Sequence, residues 1–285
     1  MTPKLSRLDG SPVILYDEVV YPITIANGGR TADLIADWHH TVETTLAGEP
    51  IGPAPQPETD SNRFGPPVVA PGKIVGAPVN YRDHQAEMKV EHTITGLGFF
   101  LKSPTSVVGQ DGTVPIPFPD RRTDQEAELG VVIGRTASQV SHHQALDYVF
   151  GYTCLVDVTV RGSEERSTRK SFAGFTPIGP WITPADDVPD PNQLRLRGWV
   201  NDELRQDANT ADMVYGVAEL IEFISSVTPL EPGDIIATGT PAGVGPIQPG
   251  DQIRVEIERL GTLTIDVVAG SHPPHPLWLT QRDSV

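Results

Sequence analysis

The sequence predicts a mixed, β-rich α+β fold with few helices, in which a small N-terminal module precedes a larger domain. Three observations carry this expectation. Apolar runs of strand length recur from residue 73 to 268, while the clearest helical stripe is confined to residues 213–226. The 27 glycines and 28 prolines are spread along the chain, at roughly half again the usual share, which marks many turns between short strands rather than disorder. The strands do not alternate regularly with helices, so a doubly wound parallel sheet is not expected.

Residues 1–70 read as the module and its linker. Val13, Ile14 and Leu15, then Val19, Val20 and Tyr21, suggest strands within 12–21. Residues 31–46 place apolar side chains at helical spacing, with Thr31 as the cap. Residues 51–71 are Pro-rich and lack periodicity, which sets the boundary near residue 70. In the larger domain, 71–270, strands are expected at 73–77, 99–102, 127–133, 152–160, 194–200, 234–238, 252–257 and 261–268. A short helix opened by Asn80 covers 81–89. In 213–226, Val214, Val217, Ala218, Ile221 and Ile224 share one stripe and Asp212 caps it. Residues 271–285 form a tail.

Length and charge bound the function. A chain of 285 residues that is 38% hydrophobic can bury the core of one large domain, or of one large and one small. Its 21 Lys and Arg against 37 Asp and Glu leave a net charge of −16, which repels nucleic acid and anionic membrane surfaces. Cys154 is the single cysteine, so no intrachain disulfide forms, in keeping with a reducing cytosol. The first ten residues hold no apolar run, Asp9, Asp17 and Glu18 count against a transit peptide, and no stretch approaches the roughly 20 apolar residues of a membrane helix. The expectation is a soluble, cytoplasmic protein.

Chemistry concentrates in four segments. Glu126 and Glu128 are two apart on a strand and share a face, at the start of the apolar run 129–133. Like charges so close need a proton or a cation between them. A second strand places Asp157 among Leu155, Val156 and Val158, with Arg161 four residues on. Three carboxylates without nearby Cys or His describe an oxygen-ligand site for Mg²⁺, Mn²⁺ or Ca²⁺; the alternative is a solvated strand end with Asp157 paired to a buried arginine. His84 and Glu87 are neighbours on a helix, and a carboxylate beside an imidazole makes a general base, although an ordinary polar helix face has the same pattern. Residues 89–98 could carry that helix as a lid. Lys170 could hold a substrate oxygen or offset the acids. The turn 238–245 exposes backbone N–H groups and a hydroxyl able to hold a carboxylate, or is simply structural. There is no Gly-x-Ser-x-Gly elbow, Cys154 reads as inert core, and His39, His40, His142 and His143 read as surface residues.

Taken in order, "GAPVNYRDHQAEM", "FFLKSPTSVVG", "DQEAELGVVIGR", "DYVFGYTCLVDVTVR", "RKSFAGFTPIGPWI", "VNDELRQ" and "LEPGDIIATGTPAGVG" resemble the fumarylacetoacetate hydrolase family over residues 73–268. The resemblance implies a β-sheet roll, usually paired into a homodimer, behind a variable N-terminal module. It implies a divalent metal, Mg²⁺ first and Mn²⁺ or Ca²⁺ as alternatives, on Glu126, Glu128 and Asp157. His84 and Glu87 become the lid pair and Lys170 the third catalytic residue, with Arg161, Tyr81, Gly239 and Thr240 on the substrate side. The implied reaction is hydrolysis of a C–C bond in a small oxo acid, a 2,4-dioxo acid or acylpyruvate, to pyruvate and a carboxylic acid, with His84 deprotonating the attacking water. The same scaffold serves decarboxylases of oxaloacetate-like acids and isomerases or hydratases of unsaturated oxo acids; a non-catalytic metal-binding protein is the reading outside enzymes. The chain departs from many relatives at Arg161-Gly162 and Glu164, and its short stretch from Asp157 to Lys170 lacks a Trp-containing insert. That segment borders the substrate.

Overall fold

A computed structural model describes residues 2–24, 30–57, 59–89, 92–271, 275 and 278. The N-terminal part contains β1 (Lys4–Leu8), β2 (Ser11–Tyr16), β3 (Val19–Pro22), α1 (Thr31–Ala36), α2 (Trp38–Leu46) and β4 (Gly52–Pro53). Then follow β5 (Ile74–Gly76), α3 (Arg82–Met88), α4 (Ile94–Leu97), β6 (Phe100–Lys102), β7 (Val107–Val108), β8 (Thr113–Ile116), β9 (Thr123–Gln125), β10 (Ala127–Ile133), β11 (Val149–Val156) and β12 (Thr159–Val160). The remainder is α5 (Arg166–Arg169), β13 (Thr176–Pro184), β14 (Arg195–Val200), β15 (Glu203–Asn209), α6 (Val217–Val227), β16 (Ile235–Ala237), β17 (Gly245–Pro246), β18 (Gln252–Ile257) and β19 (Gly261–Ala269).

The strands form a large mixed sheet in the order β4-β3-β2-β1-β13-β11-β10-β16-β5-β6, with β7 joined to β13. A second sheet runs β15-β14-β18-β19-β8, and a small third one β12-β9-β17. The main core lies between the two larger sheets, where Ala127, Leu129, Val131 and Ile133 of β10 meet Leu196, Val255, Ile257, Leu263 and Ile265, with α6 packed against it. On the other face, Val132, Leu155 and Ile178 pack with Ile35 of α1 and Trp38 and Val42 of α2. β10 is therefore buried along its whole length and reads as a continuous apolar run rather than an alternating one.

Strands appear where 127–133 and 252–257 were expected, and the mixed, strand-dominated architecture with few helices is observed. Several elements differ for local reasons. β1 pairs antiparallel with β13, Leu5 opposite Ile182, so the N-terminal strands continue the main sheet. Gly52 and Pro53, in the stretch read as linker, add an edge strand to it, while Phe64 fills a small core beneath β2 and β3. The helix expected at 31–46 breaks at Asp37, which leaves helical geometry (φ −119°, ψ 43°), and its cap is Arg30; the Thr31 hydroxyl instead accepts the Val69 N–H at 3.1 Å. α6 begins after Gly216, because Asp212 belongs to a separate turn in which its carboxylate accepts the Asn209 N–H.

β1, β8, β13 and β15 have no counterpart in the sequence reading. β13 carries three prolines, which argue against an interior strand, yet it is the partner of both β1 and β11. The β11 ladder shifts register between Tyr152 and Cys154 and accommodates Gly179-Pro180 there. β15 is polar and largely exposed, so it shows no apolar alternation. The strand expected at 152–160 breaks at Asp157, where the chain leaves the large sheet (β11) for the small one (β12). Residues 90 and 91 of the expected lid, and all of the tail beyond Ser271 except His275 and Trp278, lie outside the described residues. Trp278 stacks against Phe118, centroids 5.1 Å apart. Among the described residues, no helix is long and apolar enough to cross a membrane.

Candidate metal centre and active site

Pairing register builds the centre. β10 and β11 run antiparallel with Glu128 opposite Leu155 and Ala127 opposite Val156. Extending that register by one residue sets Asp157 across from Glu126, and the Asp157 N–H donates to the Glu126 carbonyl at 2.8 Å. Directly opposed residues project to one face, so Asp157 joins the Glu126–Glu128 pair. The carboxylates converge to within 4.8 Å of one another, all three buried.

Each acid is held from outside the cluster. Glu126 accepts from Arg161 Nη2 at 2.9 Å and from Lys170 Nζ at 2.8 Å. Glu128 accepts the Gly239 N–H at 2.8 Å. Asp157 accepts from Lys170 at 2.6 Å and from Lys102, whose Nζ also donates to the Phe175 carbonyl at 2.7 Å. Burial opposes ionisation of Glu126, but Lys170 and Arg161 overcome it and hold that carboxyl at about 2. Glu128 goes the other way: burial, then the charge of Asp157, pushes it well above the ordinary range. The cluster thus contains one acid whose charge the protein's own cations do not balance. A buried, oxygen-only set of three carboxylates, each oriented by further hydrogen bonds, fits a hard divalent cation.

A cavity of about 90 Å³ opens on this cluster. His84 of α3, the three acids, Lys170, Gly239 and Thr240 line it, together with Met88, Phe100 and the arginines 161, 166 and 169. A roomier cleft of about 410 Å³ lies between the N-terminal strands and β13, near Lys4, Tyr16, Trp181 and Arg259. Among the described residues the only cluster with metal-ligand geometry is the one at the smaller cavity, which is therefore the candidate site.

His84 is 5% exposed, and its Nδ1 lies 2.8 Å from Glu87 Oε2. The other Glu87 oxygen accepts the Gly243 N–H at 3.1 Å, tying α3 to the turn after β16. Glu87 as carboxylate places the imidazole proton on Nδ1 and leaves the Nε2 lone pair free to act as a base.

The substrate-side expectations are modified. The Gly239 N–H does hold a carboxylate, but it is that of Glu128. Gly239 has φ +94°, and a Cβ there would stand 2.8 Å from Asn80 Cβ, so the turn requires glycine. The Thr240 hydroxyl donates to the Ala127 carbonyl (2.9 Å) and accepts from Gln206 Nε2 (2.7 Å). Arg161 is committed to Asp124 and Glu126. Lys170 spends all three donors on Glu126, Asp157 and the Thr159 hydroxyl, so it offsets the acids rather than offering a hydrogen bond to substrate. Tyr81 does not line the cavity; its ring is fully buried. Burial, then the field of Glu128, pushes its phenol far up. Cys154 is core, its thiol pushed up to about 12 by burial. His39, His40, His142 and His143 are exposed.

Five contributors were missed. Lys102 shares strand parity with buried Phe100, a signal that its ammonium points inward. Asp124, fully buried between Arg122 and Arg161, and Gln206, which bridges Ala127, Thr240 and Pro241, left no pattern in the sequence. Arg166 and Arg169 were indistinguishable from other surface cations.

Residues 73–268 match the protein family described as fumarylacetoacetate (FAA) hydrolase C-terminal. A maleylpyruvate hydrolase of Aquipseudomonas alcaligenes is 46% identical over 212 residues, covering 70% of this chain and 74% of that protein. A solved maleylpyruvate hydrolase from Sphingobium sp. SYK-6, in complex with manganese(II) and pyruvate, is 38% identical with a TM-score of 0.81, over 94% of this chain and 100% of the other. A 2-hydroxyhepta-2,4-diene-1,7-dioate isomerase from Mycobacterium marinum superposes with a TM-score of 0.71 at 31% identity, over 95% and 100%.

Proposed function

The chain belongs to the fumarylacetoacetate hydrolase family and is a hydrolase, and from that premise we propose that it cleaves the C–C bond of an acylpyruvate, releasing pyruvate and a carboxylic acid. The observation that carries this reading is buried His84, paired with the more exposed Glu87, on the wall of the cavity that Glu126, Glu128 and Asp157 also line. A divalent cation on those three acids would supply Lewis acidity to the carboxylate and 2-oxo oxygens of the substrate. His84 Nε2 takes a proton from water, and the hydroxide adds to the distal carbonyl carbon. The C–C bond then breaks, its electron pair passes to pyruvyl C3, and Nε2–H returns the proton to that carbon. Glu87 stabilises the imidazolium between the two transfers. Lys102 and Lys170 keep the acid cluster folded and oriented.

Mg²⁺ and Mn²⁺ both suit the donor set, and the manganese in the Sphingobium relative supports the latter. The family resemblance supports a homodimer as the working form, which sedimentation equilibrium tests. The isomerase among the relatives supports a second reading, in which His84 only relocates a proton. The greater identity to the two maleylpyruvate hydrolases favours hydrolysis. The test is a screen of acylpyruvates, unsaturated oxo acids and oxaloacetate with Mn²⁺ or Mg²⁺, products identified by mass. Pyruvate plus an acid is expected, with turnover reduced about 10²- to 10⁴-fold in His84→Ala at unchanged metal affinity. Isomerised oxo acid or CO₂ as the product, or near-normal turnover by His84→Ala, overturns the reading.

A further inference from the structure

We propose that Trp278, in the C-terminal tail, is a positioning residue of the metal centre. Its ring completes an aromatic seat for Arg121, and Arg121 fixes the 161–172 segment that supplies the two cations hydrogen-bonded to Glu126. Trp278 lies beyond the region 73–268 that matches the family. Its ring stacks on Phe118 and Phe172, with centroids 5.1 and 5.8 Å away. Phe118 and Phe172 meet edge to face at 5.7 Å, so the three rings pack mutually. The Arg121 guanidinium carbon is 4.9 Å from the Phe118 centroid and 5.3 Å from that of Trp278. At that range a ring quadrupole attracts a cation. Arg121 then reaches the 161–172 segment. Nη1 and Nη2 donate to the two oxygens of Glu164 at 2.8 Å each, and Nη2 also donates to the Arg161 carbonyl at 3.0 Å.

The Arg121–Glu164 pair is built to hold its place. The two side chains are 16% and 14% exposed, which takes them out of the class of water-screened surface bridges. The two-pronged contact fixes orientation as well as distance. A Cβ on Gly162 would stand 2.1 Å from Glu164 Oε2 and 2.2 Å from Arg121 Nη2, so any side chain there displaces the pair. From the Arg161 carbonyl the constraint passes to the Arg161 side chain, which holds Asp124 at 2.6 Å and Glu126 at 2.9 Å. A second route runs through the rings. Phe172 stacks on Phe175 with centroids 5.0 Å apart. Phe172 lies two residues past Lys170, the cation shared by Glu126 and Asp157. The Phe175 carbonyl is the one that accepts from Lys102, the other cation of Asp157. Arg121, Glu164, Phe172 and Trp278 do not line the cavity, so they act on the centre by position alone. The proposal goes beyond the acylpyruvate reading and needs only a divalent cation on the three acids.

The test compares full-length wild type with Trp278→Ala, Trp278→Phe, Arg121→Met and the Trp278→Ala/Arg121→Met double variant. Amide hydrogen exchange reads the metal-free protein, and titration calorimetry reads Mn²⁺ affinity. In Trp278→Ala, exchange in a peptide spanning 161–172 is expected to accelerate about tenfold or more, while peptides from β1 and β2 keep wild-type rates. Mn²⁺ affinity is expected to fall about three- to tenfold, less than the roughly 10–100-fold of losing a group that itself orients a metal ligand. Trp278→Phe keeps a ring on Phe118 and Phe172 and brings Mn²⁺ affinity back to within about twofold of wild type. Arg121→Met reproduces the loss. Because both side chains act through one contact, the double variant binds Mn²⁺ within about twofold of the weaker single variant. Unchanged exchange at 161–172, acceleration spread evenly over the chain, wild-type Mn²⁺ affinity in Trp278→Ala, or losses that multiply in the double variant each overturn the proposal. None of these readouts uses an acylpyruvate, so the substrate reading and the role of Trp278 stand or fall separately.

Discussion

Lys102→Met removes a buried ammonium while keeping most of the side chain's volume. In the native site Nζ donates to Asp157 and to the Phe175 carbonyl, with the lysine side chain 0% exposed. The Phe175 carbonyl keeps a second donor, the Val158 N–H at 3.1 Å, so its loss is small. Asp157 keeps Lys170 at 2.6 Å but loses its other counter-charge. Breaking a buried pair costs about 3–5 kcal/mol, and the surviving lysine places this case at the lower end, about 3 kcal/mol in the metal-free protein. At about 2 °C per kcal/mol for a chain of this size, the melting temperature falls by about 6 °C. Urea unfolding of EDTA-treated wild type and variant, repeated in saturating Mn²⁺, measures the effect. A cation on the three carboxylates supplies the missing positive charge, so the deficit should shrink by at least half when metal is present. A metal-free deficit below about 1 kcal/mol, or one that metal leaves unchanged, refutes the assignment of Lys102 as the counter-ion of the cluster.

Glu87→Gln should lower kcat by about 10–100-fold with little change in metal affinity, because it frees the tautomer of His84 without touching a ligand; stopped-time product assays with metal titrations check this. Gly239→Ala forces a Cβ to 2.8 Å from Asn80 Cβ at φ +94° and displaces the N–H that orients Glu128, so a loss of about 1–3 kcal/mol in thermal unfolding is expected with weaker Mn²⁺ binding. The raised Glu128 carboxyl means that the folded, metal-free protein holds a proton the unfolded chain has released. Its contribution to stability therefore falls as pH rises from the ordinary glutamate value of 4.5 through the raised one. Glu126, held at about 2, has the opposite sign, and the stability it contributes above 4.5 is lost as pH falls through 2. Metal binding should release the Glu128 proton, seen by calorimetry in buffers of different ionisation enthalpy, and should abolish the decline on the alkaline side. Proton release of zero at pH values just above 4.5 contradicts this.

The sequence was most readable where chemistry and local periodicity coincide. β10 is an apolar run without interruption, and it appears within the bounds its composition suggests. His84 and Glu87 meet because three residues on a helix span one turn. β13 was invisible because prolines hide a strand whose stability comes from neighbours on both sides. α6 starts later than its apolar stripe suggests because an Asn209–Asp212 turn intervenes. For the turn 238–245, composition indicated a carboxylate-holding backbone but not whose carboxylate it holds, since the partner lies more than a hundred residues away in sequence.

By itself, the sequence determined the strand-rich class, the facing of Glu126 and Glu128, and the histidine–glutamate pair. Each follows from backbone geometry over a few residues, where side chains repeat every two positions in a strand and every three to four in a helix. Only the tertiary structure decided that Asp157 opposes Glu126 and that Lys102 and Lys170 pair with Asp157 and Glu126. It also decided that Arg161 and Thr240 are committed to the protein itself, leaving Arg166 and Arg169 on the cavity wall. Those are matters of register and of packing between segments far apart in the chain. A buried charge selects its partner by the cost of remaining unpaired, and that cost exists only once the sheets have closed around it.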